Sequence, residues 1–158
     1  MTITTRQMEA ADMGRVSKVL TAGYAFIAGP DGFSDDQLDR LLAMCASVGA
    51  VRRLLHSRRC FVAERGSALS GVLMVDGDEV TELFVDPAHH REGIGRQLFE
   101  LAVRLVRSAG HGKLRLVTTG YGIPFYEAMG MSVTGTFLID KGPLAGRERP
   151  STALELEL

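Results

Sequence analysis

Hydrophobic and polar positions change period along the chain, and the changes mark out helical and extended stretches. Ile3 and Thr5 suit an opening strand. Met13, Val16, Val19 and Leu20 then recur at helical spacing, within a helix expected over residues 10–26. Gly29-Pro30-Asp31-Gly32 interrupts that helix with turn chemistry. Ser34 is placed to cap a second helix, whose first turn carries Asp35 and Asp36, where negative charge suits the exposed amides. Leu38, Leu41, Leu42 and Cys45 form its apolar stripe, and residues 48–55 read as a third, shorter helix that Gly49 weakens.

From residue 60 the period shortens to two. Residues 60–64, 69–75 and 80–85 read as successive strands joined by the turn signals Arg65-Gly66-Ser67 and Asp76-Gly77-Asp78, an antiparallel meander. Helical spacing returns over residues 95–106, where Leu98, Leu101, Ala102 and Leu105 share one face ending at Gly110. A strand at 114–117, a short helix from Pro124 to Met129, and strands at 131–139 and 152–158 complete the pattern. One mixed α/β domain over residues 1–158 accommodates all of it, since repeats, low-complexity tracts and internal linkers are missing.

Composition narrows the function. A hydrophobic fraction of 46%, a charged fraction of 23% and a net charge of −1 are those of an ordinary globular protein, so nucleic acid and anionic membranes are not expected partners. Apolar runs fall short of a membrane span, and the stretch Met1-Thr2-Ile3-Thr4-Thr5-Arg6 lacks a signal peptide's apolar core. Cys45 and Cys60 have no metal-ligand spacing and read as reduced thiols, with no metal expected and a cytoplasmic location by default.

The segment that carries chemistry is Leu83-Phe84-Val85-Asp86-Pro87-Ala88-His89-His90-Arg91-Glu92-Gly93-Ile94-Gly95-Arg96. A strand ends, a loop follows, and two glycines stand where a long helix begins. Amides exposed at a helix start bind anions, glycines let a phosphate approach the backbone, and Arg91 and Arg96 add positive charge. It is not a dinucleotide fingerprint, because the third glycine is absent and the preceding strands form a meander.

This segment resembles the acetyl-CoA-binding motif of the GNAT acetyltransferase superfamily, Q/R-x-x-G-x-G/A. His90 holds the Gln/Arg position, with Arg91 displaced by one residue. A second block, Ile123-Pro124-Phe125-Tyr126-Glu127-Ala128-Met129-Gly130-Met131, is similar to the family's later A-x-x-F-Y-E-x-x-G-F signature. Tyr121 stands where an asparagine is frequent, and is read as packing against the cofactor. The resemblance covers residues 60–131, and Phe33-Ser34-Asp35-Asp36-Gln37-Leu38 is similar to bacterial members of unassigned substrate.

The resemblance implies the GNAT fold: a mixed, mostly antiparallel sheet flanked by helices and split by an acyl-CoA cleft. It implies transfer of an acetyl group from acetyl-CoA to an amine of a small molecule or peptide, by direct attack in a ternary complex. Backbone groups of Leu83, Phe84 and Val85 are expected along the pantetheine, and His90, Arg91, Glu92, Gly93, Ile94, Gly95 and Arg96 around the pyrophosphate. Tyr126 takes the place of the family's proton donor to the thiolate. Acidic residues on this strand serve several members as base, which nominates Glu82 and Glu79; an ideal strand points the two to opposite faces unless a bulge intervenes. Glu82 is preferred as the nearer to the acetyl position. The acceptor is expected between residues 24–56 and 138–152, whose mixed charge does not identify it. Dimers are common among relatives, but the sequence shows no decisive interface. Two other readings compete: a CoA-binding regulatory module without turnover, and an interaction protein whose glycines only make a turn.

Overall fold

The computed structural model describes residues 2–158; Met1, at the head of the stretch read for a signal peptide, lies outside them. Strand β1 (Ile3–Gln7) leads through a 3-10 turn (Ala10–Asp12) into α1 (Met13–Ala28). Buried Asp12 fixes that junction, because both Arg6 and Arg15 donate to its carboxylate. Helices α2 (Asp35–Cys45) and α3 (Val48–Ser57) follow. Ser34 caps α2 as its sequence predicts: its hydroxyl accepts from the Gln37 amide at 3.1 Å, and the Gln37 side chain accepts from the Ser34 amide at 2.9 Å.

The meander is β2 (Arg59–Arg65), β3 (Ala68–Asp76) and β4 (Glu79–Val85). The remainder is α4 (Ile94–Ser108), β5 (Lys113–Thr118), α5 (Ile123–Ala128), β6 (Ser132–Phe137) and β7 (Ser151–Glu157). The strands form one sheet in the order β1-β2-β3-β4-β5-β7-β6, antiparallel except between β4 and β5. Helices cover both faces, which is why β3 is buried along nearly its whole length. One core gathers Val16, Leu20, Leu41, Val51, Val62, Val72 and Met74 beneath α1–α3. The other gathers Leu73, Val80, Leu98, Phe99, Leu114, Tyr126 and Leu154 beneath α4 and α5. Fully buried Leu98 and Phe99 alone contribute about 2–3 kcal/mol each through removal from water.

Two irregularities in this sheet make the site. The parallel pair β4–β5 shares a single register position, Glu79 opposite Arg115. The Arg115 amide donates to the Asp78 carbonyl at 3.0 Å, and its side chain pairs with Asp78 at 2.8 Å and Glu79 at 3.5 Å. Beyond that pinned end the two strands separate. The second irregularity is a bulge in β4: Glu82 stands opposite Met74 and Val80 opposite Val75, leaving Thr81 without a partner.

Candidate active site

A strand with regular alternation would send Val80 and Glu82 to the same face. The bulge at Thr81 separates them: Val80 packs into the core beneath α4, whereas Glu82 turns toward α1. There the carboxylate is buried and accepts a hydrogen bond from the Tyr24 hydroxyl at 2.6 Å. Burial pushes Glu82 up to about 7, against the pull of the Tyr24 bond and the more distant Arg58 charge. The Tyr24 ring stacks on Phe84 of the same strand, with centroids 4.5 Å apart.

Between the separated strands lies a cavity of about 950 Å³ that reaches both faces of the sheet. Its wall beneath α4 and α5 is formed by Leu83, Val85, Ile94, Phe125, Tyr126 and Met129. Its wall beneath α1 and α2 includes Tyr24, Leu41, Phe84 and Leu144. Tyr126 is buried on the α5 side, and burial together with the negative charge of Glu82 raises its phenol well above the ordinary value. The two groups therefore stand within electrostatic reach of each other at the split.

The strand that ends at Val85 offers its backbone to this cavity at alternate residues. Since the Asp86 amide donates to Ser70 on β3 at 2.8 Å, the antiparallel ladder turns the peptide groups of Leu83 and Val85 away from β3, toward the split. Phe84 differs from the expectation: its peptide group belongs to the β3 ladder, and it meets the cavity with its ring. His90 also has a role that its place in the motif did not foretell. Its Nε2 lies 3.2 Å from the Val85 carbonyl, to which it donates, and its ring meets Phe26 edge-on at 4.9 Å. Phe26 in turn meets Tyr121 edge-on at 5.3 Å, so two half-exposed aromatic rings flank the cavity mouth.

The loop before α4 has the geometry of an anion site. Arg91 (φ 62°) and Gly93 (φ 87°) are both left-handed, and Gly93 is the N-cap of α4, a position with no side-chain acceptor for the first amides. Those amides, Gly95, and the exposed side chains of Arg91 and Arg96 line the cavity. Gly95 also gives the Phe125 ring room, because a Cβ there would press on it at 3.3 Å. These features fit a long phosphorylated donor: cations and open amides at one end, strand-edge peptides and an apolar wall along its length. Gly93→Ala is expected to weaken acetyl-CoA binding about tenfold, since a Cβ at left-handed φ costs about 1–2 kcal/mol; calorimetric titration of the variant checks this.

Glu79 and Glu92 are not brought into this arrangement. Glu79 sits at the pinned end of β4 and pairs with Arg115, outside the cavity lining, so it is corrected from candidate base to strand-end ion pair. The bulge does break the alternation between Glu79 and Glu82, but Glu79 remains where β4 and β5 still meet. Glu92 turns out of the loop to Arg65 and to His89, whose Nδ1 is 2.9 Å away, and so braces the loop from outside the cavity.

Tyr24 appeared in the sequence only as part of a pocket-forming stretch; its bond to Glu82 spans 58 residues and has no local signal. Asp31 and Arg147 were hidden in the same way. The buried Asp31 carboxylate accepts from the Tyr121 amide at 2.8 Å and from the Thr119 hydroxyl. Buried Arg147 donates to the carbonyls of Asp31 (2.8 Å) and Thr119 (2.6 Å), which ties the segment before β7 across the end of β5.

A split sheet with open amides and cations at one end of the gap and a buried acid–phenol pair beside it is an arrangement suited to acyl transfer. The acetyltransferase (GNAT) domain model matches residues 56–131. The GCN5-related N-acetyltransferase structure from Rhodopseudomonas palustris is similar, with a TM-score of 0.88 at 16% identity, over 100% of this chain and 97% of that one. PaiA N-acetyltransferase from Thermoplasma acidophilum, in complex with coenzyme A, gives 0.77 at 16% identity over 100% of both chains. Salmonella typhimurium yncA, solved with its cofactor acetyl-CoA, gives 0.68 at 20% identity over 99% of this chain and 94% of that one. No curated protein matches the sequence. Residues 56–131 thus match the GNAT acetyltransferase domain, and the whole chain takes the fold of these N-acetyltransferases.

Proposed function

We propose that residues 1–158 act as one acetyltransferase domain, in which Glu82 is the base and Tyr126 the acid for direct transfer of an acetyl group to an amine of a small molecule or peptide. The observation that carries this reading is the buried Glu82 carboxylate, tied to Tyr24 on one side of the split with Tyr126 on the other. Acetyl-CoA is the donor, with its pyrophosphate on the amides of residues 93–95 beside Arg91 and Arg96. Its pantetheine runs along the peptide groups of Leu83 and the amide of Val85, whose carbonyl is held by His90.

The steps balance as follows. The amine enters with its lone pair free, an ammonium having first released a proton to solvent. Its nitrogen attacks the thioester carbonyl carbon, a strand-edge amide polarises that carbonyl oxygen, and the amine's remaining surplus proton passes to Glu82. The C–S bond breaks and Tyr126 gives its proton to the departing sulfur. Protonated Glu82 then restores Tyr126 through water, leaving an acetamide and free CoA. The two groups help each other electrostatically. While Glu82 is charged it holds the Tyr126 proton on; once it has taken the amine's proton that restraint is lifted, and the phenol becomes a better acid when the thiolate needs one.

A base with its pKa raised to about 7 remains mostly ionised just above neutrality, yet is far stronger than a surface carboxylate. A CoA-binding module without turnover would have no use for it, so that reading is not favoured. The two free thiols, Cys45 and Cys60, agree with a reducing cytoplasmic setting for the reaction. Calorimetric titration with acetyl-CoA, followed by thiol release on adding amines, tests the whole reading; a folded protein that binds no acetyl-CoA would defeat it.

Tyr24 acts through Glu82. Its hydrogen bond favours the charged carboxylate, so Tyr24→Phe is expected to move the acidic limb of the kcat/KM profile to higher pH, with little change in acetyl-CoA affinity. An unmoved limb would mean that another group controls the profile.

A further inference from the structure

The cavity lining carries more information than the position of its base. Among the described residues, the basic side chains that line it, His89, His90, Arg91 and Arg96, belong to the loop before α4 and to its first turn. Among the described residues only two acidic side chains line it, Asp31 and Glu82. Asp31 is spent inside the protein: it is 3% exposed and its carboxylate already accepts from the Tyr121 amide and the Thr119 hydroxyl. Glu82 is therefore the single carboxylate of the described lining left to receive a proton from the acceptor's amine.

Around and beyond Glu82, on the α1 side of the sheet, the wall is made by Ile27, Phe33, Leu41, Ile139 and Leu144. These come from α1, the α1–α2 loop, α2 and the segment after β6, so the apolar character is shared by every element that closes this end. Ser151, 1% exposed, also lines the cavity, and its hydroxyl finds no partner among the described residues. It is neutral and offers at most a hydrogen bond. An ammonium elsewhere on the acceptor would lose its water here without meeting a free carboxylate.

We infer that the acceptor is a monoamine on an uncharged, largely apolar body, the amine directed at Glu82 and the body lying against Ile27, Phe33, Leu41, Ile139 and Leu144. Polycations such as aminoglycosides and polyamines are selected against by the same wall. The inference rests on the acetyl-transfer reading and adds the substrate class to it.

The test compares amines that differ in one property at a time. Thiol release at saturating acetyl-CoA is measured with n-propylamine, n-hexylamine and 1,6-diaminohexane as acceptors. The inference expects kcat/KM to rise from propylamine to hexylamine by up to about fourfold per added methylene, as apolar surface is buried. It expects 1,6-diaminohexane, with the same carbon chain and one more ammonium, to fall at least tenfold below hexylamine. A diamine equal to or better than hexylamine, or no gain with chain length, overturns the inference and leaves acetyl transfer standing. Calorimetric binding of acetyl-CoA without release from any of the three also overturns it. Failure of the protein to bind acetyl-CoA removes the reading beneath it.

Discussion

Glu82→Gln is expected to lose about 10²–10⁴-fold in kcat/KM while making the fold more stable at alkaline pH. The stability half follows from linkage. The carboxyl has its pKa raised from 4.5 to about 7 in the folded protein, because burial disfavours the charge. Below pH 4.5 both the folded and unfolded states carry the proton and nothing is lost. Between 4.5 and 7 the folded state keeps a proton that the unfolded state has released, so wild-type stability declines as pH rises, levelling off above 7. The whole interval amounts to about 3 kcal/mol. Glutamine has no such titration and still presents an oxygen to the Tyr24 hydroxyl, so the variant avoids the decline. Urea denaturation of both proteins at pH 4.5 and pH 8 measures the difference. Parallel behaviour would show that Glu82 titrates like a surface carboxylate, and would remove the basis for its role as a tuned base.

Tyr126→Phe carries the second large effect, a fall in kcat of about 10²-fold or more with acetyl-CoA affinity nearly unchanged. The ring packs against Phe99 and Phe125, with centroids 6.2 and 5.2 Å away, and phenylalanine preserves both contacts. What is lost is the proton for the departing sulfur. That loss weighs most for acyl groups on a poor leaving thiolate and least for an activated aryl thioester, whose sulfur departs without help. Comparing the two donors in wild type and variant therefore separates proton donation from packing. Equal loss with both donors would make Tyr126 a structural residue.

Most of the architecture was legible in the sequence because it is written in short-range pattern. The meander showed in the period-two stretches and their glycine turns, α2 in the Ser34 capping box, and α4 in its apolar face. The loop-to-helix junction before α4 was legible too, because Gly93 serves a local backbone need, the left-handed residue at the helix start. What escaped was set by long-range register. Whether Glu82 or Glu79 faces the split depends on the bulge at Thr81, and a bulge is decided by how β4 lies on β3 rather than by the residues of β4 alone. The ties of Tyr24 to Glu82 and of Arg147 to Asp31 join residues 58 and 116 apart. No periodicity records such pairs. Glu92 is a further case: its place in the motif suggested the cofactor, while its side-chain charge is met outside the cavity by Arg65 and His89.

The parting of β4 from β5 gives this sheet something that sheets ordinarily keep at their margins, a strand edge with open peptide groups, here in the interior. Open edges invite pairing with any extended backbone, and at a protein's rim they are a route to aggregation. Here α1 and α4–α5 roof the gap on its two faces, and the Asp78–Arg115–Glu79 cluster closes one end. A polypeptide strand with side chains on both faces would collide with those roofs. A slender chain bearing its own amides would not. A gap that would be a folding hazard elsewhere is thus, under the proposed acetyl-CoA reading, a thickness filter suited to a pantetheine arm and closed to strands.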